Sequence, residues 1–372
     1  MAKRLRFGTY VEFQCPPGRD HAELIWDVIS LGEHADRRGF DVFTCLEHPF
    51  FEKFAIMPSP LPLFCTLAQR TRHLRFRALC HTLPLHNPMV LAGEIAEADI
   101  LLDGRLEVGV GRGHAWLNEP ANLVLEENVE RYSEALDILL AAWTKDRFSY
   151  DGKYYRANDL QVVPKPVQKP HPPIYQVGTS AKWFKRAADN GYGICLGGPA
   201  PTSVFRDPAK LYLSLCEEAG TGPNLGWIKA IYLDEDEGRA MEEARESVLN
   251  FIDYNVSPMD TLHLRDTPEG RQRLIDAGYG FYAADDFANT RNLTFEQLLE
   301  FGIVFVGTPE KVGEQLLELW DEFRFQELLI ISHFGGTERW QSMKTQELFA
   351  REIMPMLREK TARPGELRTV AA

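Results

Sequence analysis

Residues 74–111, LRFRALCHTLPLHNPMVLAGEIAEADILLDGRLEVGVG, decide the fold. Leu74–Leu83 is a β-rich run, Pro88–Leu102 carries apolar residues at helical spacing, Asp103-Gly104 ends that helix, and Arg105–Val110 is β-rich again. A strand, a helix and a strand in succession predict two parallel strands joined by a right-handed crossover.

The same order recurs on both sides of this unit. Strands are expected at Arg4–Phe13, Asp41–Leu46, Leu74–Leu83, Arg105–Val110, Ile174–Val177, Gly193–Leu196, Trp227–Leu233 and Glu327–His333. Between them, Val129, Tyr132, Leu136, Leu139 and Trp143 recur at steps of three or four, as do Val312, Leu316, Leu319 and Phe323 after Thr308-Pro309, an N-cap with proline at N1. Eight βα units suit a (β/α)8 TIM barrel, whereas a doubly wound sheet closes its pattern after about five or six strands.

The 372 residues could hold two ordinary domains or one barrel with additions. Eight units absorb most of the length, so residues 1–372 are expected to form a single α/β barrel domain with insertions at about 144–173 and 255–307. The first is aromatic and then proline-rich and reads as a hairpin-like excursion. The second is polar, carries Gly270, Gly278 and Gly280, and is a candidate lid over the catalytic face. A decorative excursion or a dimer contact is an equal alternative for each.

Composition narrows the partners. With 44% hydrophobic residues the chain can bury a core, and 41 Lys+Arg against 54 Asp+Glu give a formal charge of −13 with no local basic stripe, which argues against nucleic acid. The N-terminus lacks the apolar h-region of a signal peptide, and no run approaches the roughly 18–20 apolar residues of a membrane span. A cytoplasmic protein is expected. The six cysteines show neither a C-x-x-C pair nor zinc spacing, so they read as reduced thiols, and no metal is expected.

In a barrel the chemistry sits at the carboxyl ends of the strands. The second strand ends in Leu46-Glu47-His48-Pro49-Phe50, and an imidazole there suits acid/base work, although a hydrogen-bonded structural histidine is the commoner outcome. The fourth ends in Gly109-Val110-Gly111-Arg112-Gly113-His114, glycines around a guanidinium suited to phosphate or carboxylate. Its G-x-G-x-G spacing is not the dinucleotide fingerprint. The fifth ends in Gly178-Thr179-Ser180 before a helix, a phosphate site or plain N-capping. A metal hydrolase would want a His-x-His on the first strand, which reads FGTYVEF, and nothing supports Glu47 with Glu119 as a glycosidase pair.

Taken together, these strand ends resemble the bacterial luciferase-like flavin monooxygenases. Leu46-Glu47-His48-Pro49-Phe50 is similar to that family's L-E-H-H-F, and Asp103-Gly104-Arg105-Leu106 through Gly111-Arg112-Gly113 to its K-G-R-F…C-R-G. The resemblance implies His48 as the active-site acid/base and Glu47 as its structural neighbour. It implies Arg112 as the grip on the flavin phosphate, with Gly178, Thr179 and Ser180 beside it. Tyr132, in Glu130-Arg131-Tyr132-Ser133-Glu134, resembles the R-Y-x-E of long-chain alkane monooxygenases, whose tyrosine reaches phosphate. Leu79-Cys80 matches a pair joined by a non-proline cis peptide under the flavin ring, and Gly111 stands where luciferase carries a reactive cysteine.

The function so implied is an FMN-dependent monooxygenase. Reduced FMN (FMNH2) would come from a separate NAD(P)H-dependent flavin reductase, and dioxygen would be used through a flavin C4a-peroxide on a small organic substrate. Phe50, Phe51, Phe54 and Trp116 hint at an apolar one, although simple packing is the commoner reason for such residues. A homodimer through the Pro58–Thr71 and Pro88–Leu102 helices is implied by the same resemblance. The alternatives are a deazaflavin-dependent hydride-transfer enzyme of the superfamily and a non-catalytic flavin-binding subunit.

Overall fold

The computed structural model describes residues 4–178 and 180–362. All eight expected strands are present: β1 (Arg6–Val11), β2 (Val42–Cys45), β3 (Arg75–Ala78), β4 (Leu106–Gly111), β5 (Ile174–Val177), β6 (Gly193–Gly197), β7 (Leu225–Leu233) and β8 (Glu327–Ile331). Each pairs in parallel with the next, and β8 pairs back to β1, so that Gly8 lies opposite both Val42 and Leu329. The ring is closed, and the fold is a (β/α)8 barrel.

The crossovers are helical for the reasons the sequence offers. They are α1 (His21–Arg37), α2 (Pro60–Ala68), α3 (Pro88–Leu101), α4 (Asn128–Thr144), α5 (Ala181–Asn190), α6 (Arg206–Ala219), α7 (Glu237–Val256) and α8 (Pro309–Phe323), and the helix Arg339–Leu348, α9, follows β8. Asn87 caps α3 by accepting from the Met89 and Val90 amides, and Thr308 caps α8 by accepting from Lys311 N, each with proline at the first helical position. Among the described residues no helix is long and apolar enough to cross a membrane.

Near the amino-terminal ends of the strands the barrel interior holds a buried ion cluster. Arg77, with no solvent exposure, donates to Glu107 Oε2 at 2.8 Å, pairs with Glu327, and lies 3.6 Å from the centroid of the Tyr175 ring. Arg6 donates to Glu107 Oε1 at 2.9 Å. With that end filled by side chains, the room for a ligand lies at the other, where the strands' carboxyl ends open.

The excursion after α4 is an antiparallel hairpin, Phe148–Asp151 with Arg156–Leu160. The polar segment after α7 is a string of short helical turns whose Leu262, Leu274, Ala277, Tyr279 and Ala283 form a small apolar cluster with Ala115 and Leu125 of the loop after β4. It ends in a short strand that the sequence reading leaves inside the insertion, Val304–Gly307, which continues the sheet by pairing with Ala230–Leu233 of β7.

Candidate active site

The carboxyl ends of the strands and the segment after α7 enclose a cavity of about 540 Å³. Its polar end is made by β4 and β5. Arg112 follows β4, and its guanidinium donates to Ala277 O at 2.8 Å and Gly278 O at 2.7 Å while lying 4.2 Å from the centroid of the Tyr279 ring. Gly278 has φ +76°, and a Cβ there would stand 3.3 Å from Arg112 Nη1, so glycine lets the backbone close on the guanidinium. Among the described residues no carboxylate pairs with Arg112. Its positive charge is left for a ligand.

Across from it, Gly178 and Ser180 line the same cavity at the start of α5. Ser180 is the N-cap residue by backbone, yet its side chain makes no capping bond. The first helical bonds run from Trp183 N and Phe184 N to Ser180 O, leaving the Ala181 and Lys182 amides without a partner among the described residues. A Cβ on Gly178 would meet nothing within 4 Å. A helix start with no side-chain cap, facing open space beside a guanidinium that has no carboxylate partner among the described residues, is a place for a phosphate. Thr179, expected at this point, lies outside the described residues.

Leu79 and Cys80 line the cavity, and the peptide bond between them is cis. Gly111 runs alongside, and a Cβ there would lie 2.3 Å from Cys80 Sγ, so the thiol fills the space that a side chain at 111 would need. Burial pushes the Cys80 thiol up to about 12, so it is protonated. Glu47 is buried at the cavity edge, accepting from Thr82 N at 2.7 Å and bonded to His86 Nε2 at 2.9 Å. Burial opposes its charge, but His81 and His86 outweigh that and hold it near 2, so it is an ionised structural anchor.

His48 lies behind the cavity wall, whereas its strand end suggests the barrel mouth. It is completely buried and is not among the residues that line the cavity. Its Nδ1 bonds Phe50 O at 2.6 Å and its Nε2 accepts from Trp116 Nε1 at 3.0 Å, so both ring nitrogens are taken. Burial, and then the neighbouring His114, press it down to about 3, which leaves it neutral. His48 therefore positions Trp116 and does not itself meet a ligand in this arrangement. Tyr132 also departs from its expected place: it is buried on α4, its ring edge-on to Trp183 at 4.7 Å, so Trp183 lines the cavity and the tyrosine stands outside it.

Three residues that the strand-end motifs do not single out face the cavity instead. Glu12, just past β1, is 4% exposed, and its Oε2 accepts from Asn255 Nδ2 at 2.9 Å and Gln14 Nε2 at 3.2 Å. Burial pushes this carboxyl up to about 7, the Asn255 bond working against the rise. Tyr10, two residues earlier, lines the cavity with it. The signal was a carboxylate and a tyrosine at alternate positions at the end of the first strand, VEF after GTY. His114 stacks on Trp116 at 4.5 Å and 12°, and burial alone lowers it to about 4. Phe54, Trp116 and Tyr282 complete an aromatic wall, with Tyr282 supplied by the segment after α7.

The sequence profile of the luciferase-like monooxygenases matches residues 5–327. The chain belongs to that family. Within the family, this luciferase-like protein is 26% identical over 283 residues to an FMNH(2)-dependent dimethylsulfone monooxygenase of Pseudomonas putida, covering 73% of this chain and 71% of that protein. It is 32% identical over 350 residues to an F420-dependent glucose-6-phosphate dehydrogenase of Microbacterium testaceum, covering 90% and 94%. Among solved structures it superposes with TM-score 0.77 and 19% identity on the oxygenating constituent of 3,6-diketocamphane monooxygenase from a Pseudomonas putida plasmid, in complex with FMN, covering 95% and 98%. The relatives named here are oxidoreductases that use FMN or F420.

Proposed function

We propose that this protein is the oxygenase component of a two-component FMN-dependent monooxygenase, taking reduced FMN from an NAD(P)H-dependent flavin reductase and using dioxygen to oxygenate a small, apolar organic substrate. One observation carries the reading: the guanidinium of Arg112, with no carboxylate partner among the described residues, and the start of α5, with no side-chain cap, open onto a cavity that is otherwise lined largely by aromatic and apolar side chains. A terminal phosphate fits that end, where Arg112, Ser180 and the Ala181 and Lys182 amides would hold it. Leu79, Cys80 and Gly111 offer the adjoining wall to a planar ring system.

Reduced FMN supplies, when bound, the electrons that activate dioxygen. The chain's residues do the rest. Phe54, Trp116 and Tyr282 keep water from the reacting region. Glu12, with a carboxyl near 7, holds a proton on its carboxylate oxygen or gives it up within the physiological range, and Asn255 fixes its orientation. His114, neutral above about 4, offers a ring nitrogen as acceptor in the same cavity. Arg112 joins the phosphate end to residues 277–278, so that filling it steadies the segment that carries Tyr282.

Hydride transfer with a reduced deazaflavin is the second reading, supported by the 32% identity to an F420-dependent dehydrogenase. Anaerobic titration separates the two. Tight binding of reduced FMN, followed by NADH-driven hydrogen peroxide release with a generic reductase that candidate substrates suppress, supports the first. Submicromolar affinity for the reduced deazaflavin alone overturns it. We also propose a homodimer through α2 and α3, because α3 leaves Val90 58%, Ile100 44% and Leu101 50% exposed.

A further inference from the structure

Away from the cavity, folding assembles a ligand set that the cysteine spacing does not announce. Cys15 lies in the segment that joins β1 to α1, His21 is the first residue of α1, and Glu52 lies in the loop after β2. Their Sγ, imidazole nitrogen and carboxylate oxygen all lie within 4.8 Å of one another. The backbone fixes the arrangement, since Cys15 N donates to Glu52 O at 3.3 Å. His21 Nε2 is 2.7 Å from Glu52 Oε1.

We propose that Cys15, His21 and Glu52 bind one divalent transition-metal ion of the zinc class, which staples the loop after β1 to the loop after β2. A tetrahedral zinc ion with bonds of about 2.3 Å to sulfur and about 2.0–2.2 Å to nitrogen or oxygen keeps its ligands roughly 3.3–3.7 Å apart. The trio reaches that spacing if His21 and Glu52, both exposed side chains with room to move, part by roughly an ångström. A fourth ligand is at hand: Arg19 O lies 3.6 Å from Cys15 Sγ, the separation two ligands of one such ion would keep. Among the described residues the sulfur's hydrogen-bond contacts are long ones, to Arg19 O and to Pro16 O at 3.8 Å.

The charges also suit. A thiolate and a carboxylate neutralise a dipositive ion, and the Arg19 guanidinium is turned toward Asp27 at 2.5 Å. Binding exchanges the thiol proton for the metal and releases it to solvent. One sulfur, one imidazole and one carboxylate select zinc or cobalt over magnesium or calcium, which prefer all-oxygen sets. Phe54, two residues beyond Glu52, lines the main cavity, so the ion would stiffen one of its walls.

The test uses the full-length protein, stripped with a chelator and kept reduced without added thiol, titrated with cobalt(II) alone. One equivalent should produce a thiolate-to-cobalt charge-transfer band, zinc should erase it, and millimolar magnesium should not. Cys15→Ser should abolish the band, His21→Ala and Glu52→Gln should each weaken cobalt binding by about tenfold or more, and Cys65→Ser should change nothing. Because His21 and Glu52 are exposed, their variants keep the test valid even if Cys15→Ser folds poorly. No band at stoichiometric cobalt, a band that survives Cys15→Ser, or an affinity unmoved by His21→Ala overturns the proposal.

Discussion

Replacing Glu12 by glutamine should change stability in a pH-dependent way that the structure sets. The carboxyl is raised from an ordinary 4.5 to about 7 by burial. At about 1.4 kcal/mol per pKa unit, the ionised form then costs the fold about 3 kcal/mol relative to the unfolded chain. Between those two values the folded protein holds a proton that the unfolded chain has released, so stability falls as pH rises through that window and stays lower above it. The glutamine carboxamide can still accept from Asn255 and carries no charge. Part of the loss, roughly a quarter, is already present at pH 5, so between pH 5 and pH 8 the variant should gain about 2.5 kcal/mol on the parent. With an unfolding entropy of about 2.1 cal/mol/K per residue, that gain is roughly 3 °C in Tm for a chain of this length. Thermal scans of both proteins from pH 5 to pH 9 measure it. A difference that does not vary with pH, or one that runs the other way, refutes the environment assigned to Glu12.

Other substitutions test other parts of the site. His48→Ala strands the Trp116 indole N–H and opens a void, so Tm should fall by the equivalent of about 2–4 kcal/mol, while the pH dependence of turnover keeps the parent's shape. Gly111→Ala places a Cβ 2.3 Å from Cys80 Sγ and should cost about 1–3 kcal/mol; adding Cys80→Ala should restore most of it in a double-mutant cycle followed by chemical denaturation. Glu327→Gln leaves the fully buried Arg77 short of one anionic partner, and denaturant titration should show a loss of about 3–5 kcal/mol.

The barrel was legible because each strand is short, apolar and followed by a turn and a helix with one buried face, a pattern that needs no long-range information. Val304–Gly307 is weakly signalled because four residues at the end of a polar insertion carry little periodicity, although Ile303 to Val306 before Gly-Thr-Pro is a β-rich run. Arg112, Gly178 and Ser180 were legible as strand-end residues, since position along a barrel strand alone places them at the mouth. Which way a side chain turns there was not. His48 and Glu47 sit side by side, yet the bond from Trp116, 68 positions away, holds the histidine behind the wall. The alternation of Tyr10 and Glu12 at a strand end was the one sequence signal for Glu12, and its burial becomes plain once Asn255 and Gln14 are seen to close around it.

In the function proposed above, Arg112 and the start of α5 bind the phosphate of a reduced flavin mononucleotide. The decisive measurement is anaerobic equilibrium titration of reduced FMN into the parent protein and into Arg112→Met. Losing one charge-assisted phosphate bond of about 2 kcal/mol should weaken binding about 30-fold, with one equivalent of flavin per chain in the parent. Equal affinity in the two proteins, or no binding of reduced FMN by a parent that binds the reduced deazaflavin tightly, would contradict it.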